Sequence, residues 1–286
     1  MKNNQHSARQ AENTCLSAIF LVILTTFIAT PVFSDQTSTT QTGLSKEQKL
    51  IVANLAGIAA AAAWGFRYWD YGSSKPYIED DSWFQADSKH GGMDKIGHIY
   101  SSYSLSNILS YSYMRWGYTS DKAILYGALS GLGIMTFSEF GDSISSHGFS
   151  IQDWQMNVAG AAFAYVLFRF PEAKDLIDFR AQYIPTAEST DRFTDYERLK
   201  FLLALKLSGL KVFDHTIARY LELQLGYYAR GYEFEKPQRS RNVYAAIGIN
   251  LSELLRTKTG FRKTAIALNY LQVPFSYIDV KHDLNR

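Results

Sequence analysis

Three short segments carry residues whose types and spacing can do chemistry. Asp94-Lys95-x-x-His98 sets a carboxylate and an imidazole four apart, Glu139 and Asp142 lie three apart, and Ser150-x-x-Asp153-x-x-x-Asn157 again spaces polar groups by three and four. On a helix each spacing puts the side chains on one face. Two chemistries use such a set. His98 with Glu139, Asp142 and Asp153 can hold a divalent metal that activates water, as helix-packed sites do. Alternatively, Glu139 or Asp153 fixes the tautomer of His98 and raises its basicity, leaving His98 as general base and Lys95 to hold an anionic group such as phosphate. His98, Glu139 and Asp153 are thus the candidate catalytic residues; Asp94, Lys95, Asp142 and Asn157 are candidate binding residues. No pair has the strict spacing of HExxH. Each residue also has an architectural reading. Asp94 suits a helix N-terminal dipole, Ser150 with Asp153 suits a capping box, Glu139 with Lys95 suits a buried ion pair, and His98 suits a hydrogen-bonded core. Buried charge is perturbed in both cases, so both readings stand at this level.

Those residues need helices whose ends meet. Four apolar stretches supply them: Leu50 to Trp64, Ile96 to Trp116, Ala123 to Phe140 and Ile151 to Phe170, the last stopped by Pro171. Ser120-Asp121 offers an N-cap to the third and Ser150 to the fourth. If neighbours pack antiparallel, the end of the third, the start of the fourth and the start of the second share one end. Each uninterrupted apolar run is about 15 residues, short of the ~20 a membrane span needs. The expectation is therefore a helical bundle of about four short apolar helices over 46–185 that touches a membrane surface. Residues 186–286 change character. Leu221 to Leu225 alternates with period two and Val243 to Asn250 reads as its hairpin partner, across a charged tip at 234–241. Leu199 to Leu207 fits strand or helix, Phe275 to Val280 fits strand, and Leu251 to Leu271 fits a helix interrupted at Gly260. The fold class is α+β, with a smaller C-terminal antiparallel β-containing module.

Composition bounds the function classes. The 286 residues carry 29 Lys plus Arg against 27 Asp plus Glu, a net charge of +2, which leaves no basic bulk for a nucleic-acid partner. Mean hydropathy of -0.16 argues against a protein made mostly of lipid-facing helices. Residues 1–34 read as a signal peptide with its apolar core at Leu16 to Ala29, and 35–45 as a flexible mature N-terminus. An uncleaved anchor is the competing reading. Cys15, the one cysteine, precedes that core, whereas a lipid-anchoring cysteine would follow it. Once the signal is cut no cysteine is left for a disulfide, thiolate or metal site. The aromatic clusters Trp64 to Trp69 and Trp83-Phe84 fit either core packing or an interfacial belt.

The runs Asp94-Lys95-Ile96-Gly97-His98, Ser138-Glu139-Phe140-Gly141-Asp142, Gly148 to Asp153 and Asn157-Val158-Ala159-Gly160 resemble the YfiM-like predicted periplasmic lipoproteins, a family of unknown function. Tyr220 to Gly231 and Ile247 to Ser252 are similar to its longer members, so the resemblance runs from about Leu50 onward. The same pattern is more distantly similar to VanZ-like membrane proteins. The resemblance implies an envelope location and marks Asp94, Lys95, His98, Glu139, Asp142, Asp153 and Asn157 as motif residues. It implies no reaction. The expectation is a membrane-associated periplasmic protein, structural or binding an envelope lipid or envelope protein partner, at the inner face of the outer membrane. The alternative is a hydrolase or transferase acting on an envelope lipid or lipid-linked phosphate.

Overall fold

The apolar stretches and their polar ends become four long helices. In the computed structural model, which describes residues 43–184, 194–232 and 238–286, α1 (Lys46–Tyr68), α2 (Met93–Arg115) and α3 (Ser120–Asp142) have 23 residues each and α4 (Ile151–Arg169) has 19. The expected signal peptide, Cys15 and most of the 35–45 stretch fall outside the described residues. The helices are longer than the apolar runs because the polar motif residues are themselves helical. Thr119, not Ser120, precedes α3, while Ser150 does cap α4 by accepting the Asp153 N–H. Pro171 ends α4 and then opens α5 (Pro171–Leu176), where its missing N–H costs nothing.

The serines of α2 face small residues. A Cβ on Gly127 of α3 would lie 2.1 Å from Ser110 Oγ, and one on Gly160 of α4 would lie 2.2 Å from the Ile99 carbonyl. Only glycine allows those approaches, so α2 is gripped closely by both neighbours. Ser106, Asn107 and Ser102 are fully buried there. Ser110 donates to the Ser106 carbonyl and Ser102 to the Asn157 carbonyl, so these two hydroxyls are satisfied within the helix interface. The Ser104 and Ser106 hydroxyls of α2, by contrast, are buried without a hydrogen-bond partner among the described residues.

A short parallel bridge joins β1 (Ile78–Glu79) to β2 (Phe149–Ser150) and ties the loop before α2 to the start of α4. The C-terminal part is a five-stranded antiparallel sheet in chain order: β3 (Ile177–Tyr183), β4 (Leu199–Lys206), β5 (Leu221–Arg230), β6 (Ser240–Ile249) and β7 (Tyr277–Asp283). Between β6 and β7 lie α6 (Leu251–Arg256) and α7 (Arg262–Ala267), the interrupted helix of the sequence. With seven α-helices among the described residues, the class is α+β. Leu199 to Leu207 resolves as strand. β3 lies within the stretch expected to be helical, so the sheet begins before residue 186. The sheet curls: Tyr277 of β7 donates to Gln182 of β3 at 2.9 Å, and Leu271 bridges Ala181.

Strand alternation separates two faces. Asp178, Arg180, Glu222 and Gln224 point inside the curl and are buried, whereas Leu203, Leu223, Leu225 and Ile247 point outward. Helices cover one corner of the outward face. There Tyr100 and Tyr103 of α2 and Phe163 of α4 pack on Phe179 and Phe201. That aromatic contact holds helices and sheet in one unit, Lys46–Arg286.

Candidate functional site

The starts of α2 and α4 and the end of α3 converge. Gly92, in the left-handed region at φ 82°, turns the chain into α2 so that Asp94 and Lys95 enter its buried first turn. Lys95 is completely buried, and its ammonium donates to Asp81 at 2.5 Å, Asp153 at 2.8 Å and Asp94 at 2.9 Å. Asp81 comes from the loop that the β1–β2 bridge fixes in place. Three carboxylates with oxygens within 4.8 Å of one another have the spacing of a divalent-cation site, and the Lys95 ammonium sits among them. Burial favours the neutral amine, but Asp94 and Asp153 hold the Lys95 pKa above its ordinary value. Lys95 is therefore not the free anion holder that the sequence allowed, nor the partner of Glu139.

One turn along α2, His98 completes the cluster. Its Nδ1 lies 3.2 Å from both Glu139 Oε1 and Asn157 Oδ1, and its Nε2 lies 3.7 Å from Asp153 Oδ1. Asn157 donates to the same Glu139 oxygen at 3.2 Å, so α2, α3 and α4 meet on one carboxylate. Burial opposes the charged imidazole, yet Asp153, Glu139 and Asp94 outweigh it and raise the His98 pKa to about 8. Burial pushes Glu139 up to about 7 despite the pull of His98. Asp142, one turn on, is raised to about 8 by burial and by the charge of Glu139. No direct bond joins Asp142 to His98; its neighbour is Tyr71, whose hydroxyl donates to the Ser138 carbonyl at 2.9 Å.

The structure thus brings together Asp94, Lys95, His98, Glu139, Asp153 and Asn157, with Asp142 at the margin. Sequence reasoning passed over Asp81 and Tyr71. Asp81 sits in irregular chain where no period applies, and Tyr71 follows α1 in a turn. His90 packs at a tilt against Tyr196 with ring centroids 5.0 Å apart, and burial lowers its pKa to about 4.

Chemically, His98 and Glu139 are in direct contact and, with Asp142 nearby, have pKa values raised to between about 7 and 8, so the cluster can take up and release protons near neutral pH. The His98 side chain is 19% exposed, against 2% for Glu139. A surface groove of about 350 Å³ lies next to the cluster, lined by Ile78, Glu79, Asp80, Trp83, Ile151, Gln152 and Gln155, and takes in none of the clustered residues. The polar centre is therefore tightly cross-tied, with one titratable edge toward solvent.

No curated protein and no solved structure matches this chain. The family described as predicted periplasmic lipoprotein (DUF2279) matches residues 80–169, the stretch that supplies every member of the cluster from Asp81 to Asn157.

Proposed function

We propose that this chain is a membrane-associated protein of the bacterial cell envelope, held at the periplasmic face of the outer membrane, whose polar centre is architecture. The observation that carries the reading is α1. It is long and apolar enough to cross a membrane by length and composition, and only 11% of its apolar window is buried in the protein. Ile51, Val52 and Leu55 are exposed along it, Lys46 and Lys49 flank one end, and Arg67 with Tyr68 flank the other. Cations and aromatics bounding an apolar helix suit the two edges of a bilayer or its interface. α3 passes the same test of length but is half buried, as a core helix is. The matched family's description supports the envelope location. Membrane fractionation tests the reading. Wild-type protein is expected in the membrane pellet after a high-salt wash, and Val52→Lys with Leu55→Lys is expected to release it. Release of the wild type by salt alone would count against it.

A second reading rests on the His98–Glu139 contact, whose groups titrate near neutrality with His98 reaching solvent. It makes the protein a hydrolase or transferase on an envelope lipid or lipid-linked phosphate, with His98 as base. Lipid mass spectrometry of a deletion strain carrying His98→Ala separates the two. A lipid shift shared with the deletion favours chemistry, whereas a wild-type profile favours architecture.

A further inference from the structure

In the C-terminal sheet, β5 has its polarity turned inside out. Leu221, Leu223 and Leu225 of β5 are exposed, while the alternate residues Glu222 and Gln224 are buried. Register carries the outward set across the sheet: Leu223 pairs with Ile247, and Ile247 with Ile278. Ile278 and Val280 of β7 are 85% and 79% exposed. Water would favour the reverse arrangement, because an exposed aliphatic patch continuous over three strands is costly on a soluble surface. A polar interior behind an aliphatic wall is how a sheet faces lipid. Where the face is most exposed, at Leu221 to Leu225, Ala245 to Ile249, Ile278 and Val280, its outward positions hold only Leu, Ile, Val and Ala. Tyr227, Arg241 and His282 lie on the same face toward its other end, away from this centre.

Charge at the border of the patch completes the match. At the end of the sheet where Leu221 pairs with Ile249, the chain leaves β6 and returns to β7 at Tyr277. The intervening segment exposes Arg256, Lys258, Arg262 and Lys263, and its one acid, Glu253, is already bonded to Arg219 and Arg256. Phe261 is exposed in the same segment and Phe275 is 95% exposed. Cations and aromatics beside an aliphatic wall complement the headgroup layer of an anionic bilayer.

We propose that the outward face of β5, β6 and β7 is a lipid-contact surface, seated in the hydrocarbon of an anionic bilayer with the 256–263 segment at headgroup level. This deepens the membrane association argued from α1 and adds a second, independent point of contact. The test uses the full chain with Cys15→Ser, reconstituted into phosphatidylethanolamine and phosphatidylglycerol vesicles, with a nitroxide on Ile247→Cys, Ile278→Cys or, as a water-facing control, Asp87→Cys. The expected result is high oxygen access and loss of nickel-chelate access at 247 and 278, with the opposite at 87. Nickel access at 247 and 278 equal to that at 87, in protein that floats with the vesicles, overturns the lipid face and leaves the association by α1 intact. Shielding from both reagents with spin–spin broadening assigns the face to a second copy and also overturns it. Protein that does not float overturns both. Lys258→Gln with Lys263→Gln is expected to weaken flotation on phosphatidylglycerol vesicles by about fivefold per cation and to leave phosphatidylcholine vesicles unaffected. An equal loss on both overturns the headgroup role.

Discussion

The molecule buries charge in two places, and it balances them differently. At the helix ends, Lys95 and His98 face five carboxylates: Asp81, Asp94, Glu139, Asp142 and Asp153. Inside the curl of the sheet, Arg180 bonds Asp178 at 2.6 Å and Glu222 at 2.7 Å, and Lys206 bonds Asp178 at 2.8 Å. The two bases bonded there meet two acids, and a third base, Lys174, lies beside Asp178 and Lys206. The helical centre cannot neutralise itself with its own cations, so it holds protons on Glu139 and Asp142 well above the usual carboxylate range. The sheet cluster is thus a lattice of matched ion pairs, with the pKa of Lys174 at its margin lowered to about 7 by burial, whereas the helical cluster keeps its protons on carboxylates. Burial raises both carboxylates, and the excess of acid leaves too little cation nearby to pull them back down.

Removing the central cation of each cluster tests this most severely. Lys95→Met leaves Asp81, Asp94 and Asp153 facing one another in a buried site, and the expected loss is about 4 kcal/mol of unfolding free energy by denaturant titration in detergent. A loss below about 1 kcal/mol would mean the three carboxylates simply take up protons or water and the cage holds nothing together. Arg180→Met strands Glu222, but Lys206 still neutralises Asp178. The expected loss is therefore smaller, about 3 kcal/mol. If it exceeds that of Lys95→Met, the sheet lattice is the more heavily stressed of the two and the comparison inverts.

The two clusters also differed in how far they could be read from sequence. Asp94 with His98 and Asp153 with Asn157 are four apart on helices, and a local period is enough to place them on shared faces. Asp81 was not legible, because its position depends on the pairing of Ile78 with Phe149, a contact between distant parts of the chain. The sheet lattice was not legible at all. In β3, Asp178, Arg180 and Gln182 alternate with Phe179 and Ala181, but their burial depends on strands arriving from β4, β5 and β7. Alternation in Leu221 to Leu225 did reveal a strand with two unlike faces. It could not reveal that the leucines lie outside and Glu222 inside, because period two fixes difference, not direction.

The gentlest probe of the comparison is pH. Asp142 is raised from 3.8 to about 8 and Glu139 from 4.5 to about 7, so the folded state keeps these protons after the unfolded chain has lost them. Between those values the folded state binds more protons, and stability falls as pH rises. His98 adds to the same slope. Its contribution is full below 6.5 and is lost as pH rises through about 8. Asp142→Asn keeps a polar side chain beside Tyr71 without a charge to expose. It is expected to flatten the decline between about pH 4 and pH 8 and to gain several kcal/mol relative to wild type by pH 9, at about 1.4 kcal/mol per pH unit across that interval. The same protein below about pH 4, where Asp142 is protonated in both states, should show little gain. Parallel stability curves for the two proteins across that range would mean Asp142 stands outside the proton-sharing cluster. The excess acid would then reside in Glu139 and the carboxylates around Lys95 alone.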